Sequence, residues 1–171
     1  LSPVIKEFGI ACLNAKFRKE LEAEFGKQFF DLTELQNKIV SEEVVPLLQK
    51  ENELSAEYQK LKSEIKIDFD GKMRNLSGMS PLMESTDREY RKAASKAMYT
   101  EMIKVQPELD RIYDELVKIR TELAHKLGYE NFVQMGYDRM GRTCYNAADI
   151  TKYRGFVAKY VTPKVAILKD K

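Results

Sequence analysis

Histidine is almost missing from this sequence, since His125 is the single histidine among 171 residues. A catalytic zinc ion needs about three protein ligands, and these usually include two histidines. The pattern His-Glu-x-x-His is therefore absent, and neither cysteine has a ligand partner at a recognised spacing. These residues predict no metal site of their own. His125 stands at the end of a helical pattern, where a cation facing the negative helix end is the simplest interpretation.

Cysteines and long apolar runs are also scarce. Cys12 and Cys144 are too few and too far apart for a disulfide framework, which predicts two reduced thiols in a cytosolic protein. No apolar run reaches the roughly eighteen residues that a membrane span needs, and the N-terminus lacks a signal-peptide pattern. We therefore expect a cytoplasmic protein with no membrane partner.

An excess of charge of one sign is missing as well. Lysine and arginine number 29 against 27 for aspartate and glutamate, which leaves a net charge of +2. A dedicated nucleic-acid-binding protein normally shows a clear basic excess or stripe. The near balance therefore predicts no nucleic-acid partner.

Signals for other kinds of catalysis are weak. Cys144 and His125 lack a third group that would orient them as a nucleophile and its base. The glycines form no phosphate-binding loop, because no Gly-Lys-Ser/Thr follows them. Carboxylates occur on every predicted helix, so spacing alone selects no acid–base pair. The sequence therefore names no catalytic residue.

Apolar residues spaced three to four apart predict helices along most of the chain. The first pattern runs from residue 3 to about 25, with a break near Asn14 allowed, and Gly26 is a C-terminal cap. A second helix extends to about Ile39. Ser41 is a good N-cap for a third, which runs to about Glu64.

The second half of the chain continues this pattern. Thr86-Asp87-Arg88-Glu89 predicts a capping box before a long helix that reaches Gly128. Pro107 predicts a kink or break in that helix near Val105. Asn146 caps a last helix, which Pro163 bends or ends.

One segment changes period from helix to strand. Ile65, Ile67 and Phe69 alternate with polar residues, and Asp70-Gly71 follows, which is a strong hairpin signal. We place strands near 64–69 and 72–77, and both a two-residue and a bulged three-residue turn fit. The predicted fold is mainly α, a single multi-helix lobe over residues 1–171 with one β-hairpin at about 64–77.

Residues 127–145 differ in composition from the rest of the chain, since these nineteen positions contain three glycines, three tyrosines and two arginines. Four of these residues follow a helix end predicted at Gly136. They are the candidate binding residues: Tyr137, Arg139, Arg142 and Tyr145. Arginine can hold a carboxylate through two hydrogen bonds, and tyrosine can donate to a carbonyl oxygen.

The alternative interpretation of this cluster is structural. In it, three helices meet at a corner whose core is Phe132, Met135 and Met140. The arginines then pair with helix carboxylates and bind no ligand. The sequence alone leaves both interpretations open.

Several collinear segments together resemble the oligoendopeptidase F family, zinc oligopeptidases related to thimet oligopeptidase. The most specific segments are KLGYENF at residues 126–132 and GYDRMGRT at residues 136–143. The others are FGKQFFDL at 25–32, IDFDG at 67–71, LS at 76–77, SP at 80–81, DREYRKA at 87–93, YR at 153–154 and the region around Val161 and Pro163.

The resemblance implies a helical, deeply clefted peptidase that cuts short peptides. It also implies a zinc ion held by a His-Glu-x-x-His helix and a downstream glutamate, with the first glutamate as general base. Those residues are not in this sequence, which matches the family's upstream part. We therefore expect zinc in the parent enzyme and none in this segment, whose partners are peptide substrates and the catalytic domain.

The two ends of the sequence also favour the expectation that this chain is part of a larger enzyme. The chain opens at Leu1 inside a helical pattern and closes at Lys171 without a capping signal, as a fragment of a larger peptidase would. We expect such a fragment to wall the substrate cleft, with Tyr137, Arg139, Arg142 and Tyr145 as its candidate substrate-binding residues, and to be inactive alone. The alternative is a complete helical interaction module that docks a partner helix without catalysis.

Overall fold

The computed structural model describes residues 3–170, which are mainly helical as the sequence predicts. The α-helices are α1 (Pro3–Leu13), α2 (Arg18–Phe25), α3 (Lys27–Lys38), α4 (Val45–Glu64), α5 (Leu76–Met79), α6 (Arg88–Lys126), α7 (Phe132–Arg139), α8 (Ala147–Phe156) and α9 (Thr162–Lys169). Short 3₁₀ turns span Glu42–Val44 and Ser80–Glu84, and a π-helix spans Val157–Val161. The strands are β1 (Ile67–Phe69) and β2 (Lys72–Arg74).

The described chain divides into two compact units. Residues 45–123 form one, which we call the hairpin unit. Residues 3–44 and 124–170 form the other, which we call the groove unit. The long helix α6 contributes most of its length to the hairpin unit and its last turn to the groove unit.

The hairpin unit contains a core formed by the hairpin, α5 and α6. A two-stranded hairpin is marginal in water by itself, so one face must be buried against helices. Ile67 supplies that face and is almost fully buried. The buried residues of this core are Ile65, Ile67, Met79, Ala94 and Met98.

The hairpin has the two-residue turn. Ile67 pairs with Arg74 and Phe69 pairs with Lys72, which leaves Asp70 and Gly71 as the loop. Both loop residues have positive φ, 54° and 67°, as this tight turn requires. The predicted hairpin is confirmed, and its strands are shorter than the predicted span of 64–77.

Helix α6 runs without interruption through Pro107, so of the predicted kink or break near Val105 the break is wrong. Proline removes one backbone hydrogen bond from a helix, and the carbonyl four residues earlier loses its partner. Pro107 and Ile103 are both exposed, so water can reach that carbonyl. The N-cap is Asp87, whose carboxylate accepts from the amides of Glu89 and Tyr90, in place of the predicted Thr86.

The groove unit combines the first three helices with the segment after residue 123. Phe30 of α3 is almost fully buried, and its ring lies 5.1 Å from that of Phe29 in an edge-to-face arrangement. The guanidinium of Arg18 covers the same Phe30 ring at 4.5 Å. Helix α3 contacts both α1 and α7. It therefore connects the early and late segments of this unit.

Helix α6 ends at Lys126, close to the predicted end at Gly128. Gly128 has φ +79°, and its amide donates to the carbonyl of His125. The amide of Tyr129 then donates to the carbonyl of Ala124. Together the two bonds form a helix C-cap in which Gly128 adopts the left-handed backbone conformation. His125 lies in the last turn as predicted, with Nε2 3.1 Å from the carbonyl oxygen of Glu130.

The last helical segment begins as predicted and continues beyond Pro163. Asn146 caps α8 and Asp149 returns the bond, which forms a capping box. The chain then continues through the π-helix into α9. Pro163 lies in the first turn of α9, where a backbone N–H has no intrahelical acceptor in any case. Among residues 3–170, no helix is both long and apolar enough to cross a membrane.

Candidate functional site

The candidate site begins where α7 ends. The sequence predicts a helix end at Gly136, but α7 extends to Arg139 and Gly136 lies inside it. The left-handed residue is Gly141, with φ +64°. The amide of Gly141 donates to the carbonyl of Asp138, and the amide of Arg142 donates to the carbonyl of Tyr137. This geometry returns the chain beside the last turn of α7.

The turn brings three of the four predicted residues together. The Arg142 guanidinium lies 5.1 Å from the ring centroid of Tyr137 and 5.5 Å from that of Tyr145. The two rings are 6.5 Å apart and nearly perpendicular, with an interplanar angle of 80°. Cation–π contact of this kind orients a guanidinium and limits its rotamers. We call Tyr137, Arg142 and Tyr145 the arginine clamp.

Arg139 lies apart from the clamp. Its guanidinium lies over the ring of Phe132, about two helical turns earlier on α7, at 5.9 Å. Arg139 is exposed, whereas Arg142 and Tyr137 are half-buried. The four predicted residues therefore form a cluster of three and one separate arginine.

The structure agrees in part with the alternative interpretation, in which these residues form a packed junction of helices. Met135 is fully buried and Phe132 is half-buried. Met140 is 57% exposed and does not belong to a core. The stretch therefore combines a packed inner face with an outer face that carries the clamp.

Arg142 also lines an open groove of about 420 Å³ between α3 and α7. We call this the α3–α7 groove. Its lining residues are Lys27, Asp31, Glu34, Leu35, Lys38, Asp138, Arg142 and Thr143. This volume lies within the roughly 300–1,000 Å³ of small-ligand sites.

The carboxylates of the groove all have cationic partners. Lys27 Nζ lies 2.5 and 2.7 Å from the two oxygens of Asp31, and this hydrogen bond raises the pKa of the Lys27 ammonium. Glu34 accepts a hydrogen bond of 2.9 Å from Arg18 Nη2. Hydrogen bonds to Glu34 and then Glu22 raise the pKa of the Arg18 guanidinium. These pairs leave little free negative charge on the α3 side.

Asp138 lines the groove and is buried. Its Oδ2 accepts 2.6 Å from the phenol of Tyr129, and its Oδ1 accepts 2.9 Å from Nε2 of Gln134. Lys38 Nζ lies 3.7 Å from Oδ2 and 4.2 Å from the centroid of the Tyr129 ring. Burial, followed by the bond to Asp138, raises the pKa of the Tyr129 phenol well above its usual range.

Sequence reasoning missed this network and the α3 wall of the groove. Tyr129 and Asp138 both lie in the distinctive stretch, but spacing did not indicate their pairing. Lys38 lies far along the sequence from both Tyr129 and Asp138, and no local pattern predicts such contacts.

The other predicted candidates for chemistry have structural partners. Cys144 Sγ lies 3.7 Å from Thr143 Oγ1 and 3.9 Å from Gln28 Oε1, while His125 contacts the carbonyl of Glu130. Within residues 3–170, no three or more His, Cys, Asp or Glu side chains are grouped to hold a metal ion. Within residues 3–170, the side chains of this site present a guanidinium to an anion, and Cys144 and His125 each contact other groups.

Comparison with known proteins adds an independent line of evidence. The profile of peptidase family M3 matches residues 81–162. No protein in a curated set matches the sequence significantly.

Solved structures match nearly the whole chain. A crystal structure provisionally named oligoendopeptidase F, from Bacillus anthracis str. Ames, is 46% identical over 99% of this chain with a TM-score of 0.90. A second structure provisionally named oligoendopeptidase F is 43% identical over 98% of this chain, with a TM-score of 0.91. PZ peptidase A, solved with an inhibitor, is 42% identical over 98% of this chain, also with a TM-score of 0.91.

The matches cover nearly the whole of this chain but only part of each related protein. This chain spans 32% of the Bacillus anthracis protein and 30% of each of the other two. Identity of this level over the whole chain, together with the same fold and the M3 profile, agrees with the resemblance read from the sequence. The chain belongs to the oligoendopeptidase F family, within peptidase family M3.

Proposed function

We propose that this chain is part of a zinc-dependent oligopeptidase, in which it walls the substrate cleft and has no peptidase activity alone. The observation that carries the proposal is the 46% identity over 99% of the chain to a protein three times as long. The parent enzyme acts in the cytoplasm on short peptides. Its catalytic domain supplies the zinc ligands.

The chemistry of the chain supports this division of roles. A metallopeptidase needs a metal-bound water and a general base beside it. The single histidine and the lack of a grouped ligand set in residues 3–170 support placing that centre in the rest of the parent enzyme. The α3–α7 groove and the arginine clamp instead provide a surface that can hold an extended peptide. Binding and positioning are therefore the contributions that these residues can make.

The first experiment compares the 171-residue chain with a longer protein that contains it. Intact mass, zinc content and cleavage of a quenched fluorescent peptide are measured on the same samples. We expect neither zinc nor turnover for the 171-residue chain. The longer protein should contain about one zinc per chain and lose its activity to a chelator. Chelator-sensitive cleavage by the 171-residue chain at its verified mass would contradict the proposal.

The cleft role is tested in the longer protein with Arg142→Ala. A residue that faces the substrate channel should change KM, kcat or both for a short peptide. Unchanged values of both constants would exclude Arg142 from the cleft. A second assay compares a short peptide with a folded protein that contains the same cleavable segment, and only the peptide should be cut.

The rival function is a helical interaction module. Apolar side chains on α8, the π-helix and α9 favour it, because they are exposed in the described structure: Tyr153, Phe156, Tyr160, Val161, Val165, Ile167 and Leu168. A surface that packs on a catalytic domain looks the same. Zinc content and turnover of the longer protein separate the two, since the module has neither.

A further inference from the structure

The arginine clamp holds a cation for which the described part of the chain supplies no acidic partner. Among residues 3–170, Arg142 makes contacts with two tyrosine rings and forms no ion pair. In contrast, each of the three carboxylates of the α3–α7 groove lies beside a lysine or arginine. Among the described residues, the groove therefore has one guanidinium whose charge no ion pair matches.

We propose that the α3–α7 groove is a subsite for a peptide carboxylate, which is bound by the guanidinium of Arg142. This inference rests on the proposed function, and it names the substrate group that the cleft wall selects. The carboxylate belongs to the peptide C-terminus or to an acidic side chain. Both sources present the same planar group with two oxygens.

The guanidinium is suited to that group by shape as well as by charge. Its fork of N–H donors matches the two oxygens of a carboxylate, and aromatic contacts leave the edge of the fork free. The turn at Gly141 fixes the Arg142 backbone, and Tyr137 and Tyr145 limit its side-chain rotamers. Much of the side-chain entropy that Arg142 would lose on binding a ligand is therefore already lost when the protein folds.

The other residues of the groove disfavour a more highly charged ligand. Asp31, Glu34 and Asp138 line the same space as Arg142. Because each of the three is already paired with a lysine or arginine, Arg142 is the one groove cation, among the described residues, that is left to balance the charge of a ligand. A peptide carboxylate carries one negative charge, whereas a phosphate group carries nearly two at neutral pH. Carboxylate is therefore favoured over phosphate.

The test measures binding to the 171-residue chain by isothermal titration calorimetry. The probes are acetylated pentapeptides of Gly, Ala and Ser residues that end in a free carboxylate or in an amide. A third probe has an internal glutamate and an amide end, and inorganic phosphate is the fourth. We expect at least one carboxylate peptide to bind ten-fold or more tightly than the neutral amide, and phosphate to bind more weakly than that peptide.

Two arginine variants make the test specific. Arg142→Gln should abolish the difference between carboxylate and amide peptides, and Arg142→Lys should retain only part of it. Arg139→Gln is the matched control, because Arg139 lies on Phe132 outside the groove and should leave the difference intact. Circular dichroism melting of each variant verifies that the fold is kept.

The outcomes separate the two sources and the two proposals. Preference for the free C-terminus or for the internal glutamate identifies the source of the carboxylate. Equal affinities for all peptides, no binding at millimolar concentration, or a difference that persists in Arg142→Gln would overturn the subsite. If the longer protein cleaves no peptide while the preference remains, the proposed function fails and the subsite stands.

Discussion

The phenol of Tyr129 donates a hydrogen bond of 2.6 Å to Oδ2 of Asp138, and both side chains are buried. Tyr129 follows the end of α6, whereas Asp138 lies in α7, which lines the candidate site. The bond therefore fixes the helix that positions the arginine clamp. A buried carboxylate is costly unless its oxygens are bonded, so the stability of this corner depends on the pair.

The first prediction concerns the strength of this bond. Tyr129→Phe removes the hydroxyl and leaves Asp138 Oδ2 with Lys38 at 3.7 Å. Because hydrogen bonds to charged groups contribute about 1.5–3 kcal/mol, we expect the free energy of unfolding to fall by a similar amount. Urea denaturation followed by circular dichroism measures the change.

The matched control is Tyr113→Phe, since Tyr113 is 70% exposed. It removes the same atom from a side chain whose hydroxyl water can reach. The urea midpoint should not move. Equal losses in the two variants would show that the Tyr129–Asp138 bond has no special role.

The second prediction concerns pH. The pKa of the Tyr129 phenol is raised in the folded state above its ordinary value of 10.0. Above that pH the unfolded chain releases the phenol proton while the folded chain retains it. The unfolded state then binds fewer protons, so the Tyr129 contribution to stability declines as pH rises. Below pH 10 the contribution is fully present.

The measurement is the difference in unfolding free energy between wild type and Tyr129→Phe at several pH values. Comparing the two proteins cancels the titration of lysines and of the other tyrosines. We expect a constant difference from pH 7 to about 9 and a smaller one above pH 10. A difference that grows with pH would contradict the assigned direction of the pKa shift.

Local signals in the sequence predicted local structure well. The Asp70-Gly71 turn and its flanking alternation predicted the hairpin, because positive φ at two adjacent residues demands such residue types. Asn146 predicted the start of α8 through its side-chain bonds. In both cases the energy that decides the conformation lies within a few residues.

The incorrect predictions concern positions where the surrounding structure, and not the local sequence, decides the conformation. Pro107 breaks a helix only when its lost hydrogen bond cannot be replaced, and its exposure was not readable from the pattern. Gly136 resembles a helix end, yet the helix continues because nothing requires positive φ there. The groove was unpredictable because Lys38 and Asp138 meet through the packing of α3 on α7.

The third prediction concerns Gly141, which the clamp needs for its turn. Its φ of +64° is costly for other residues, and an added Cβ would lie 3.0 Å from Cδ2 of Leu32. We expect Gly141→Ala to destabilise the protein by about 1–2 kcal/mol from the backbone alone, with a further loss from the contact with Leu32. Urea denaturation gives the total.

Gly128→Ala separates the two causes. Gly128 ends α6 with φ +79° and the same pair of backbone bonds, but a Cβ there meets nothing within 4 Å. It should show the backbone cost only. If Gly141→Ala costs no more than Gly128→Ala, the contact with Leu32 is relieved without penalty.

The last prediction concerns a buried carboxylate in the hairpin unit. Glu51 of α4 is 4% exposed, and its Oε1 accepts a hydrogen bond of 2.7 Å from Nε of Arg120 on α6. Arg120→Met keeps most of the side-chain length and removes this donor. Since a hydrogen bond to a charged group contributes about 1.5–3 kcal/mol, we expect a loss of unfolding free energy in that range.

A double-mutant cycle tests whether the loss belongs to this pair. Adding Glu51→Gln to Arg120→Met should cost much less than the sum of the single changes, because both disrupt one interaction. The control cycle uses Asp114 and Lys118, an exposed pair at 2.6 Å on the surface of α6. Exposed pairs contribute little, so that cycle should be nearly additive. Additivity at Glu51 and Arg120 as well would mean that burial does not strengthen their bond.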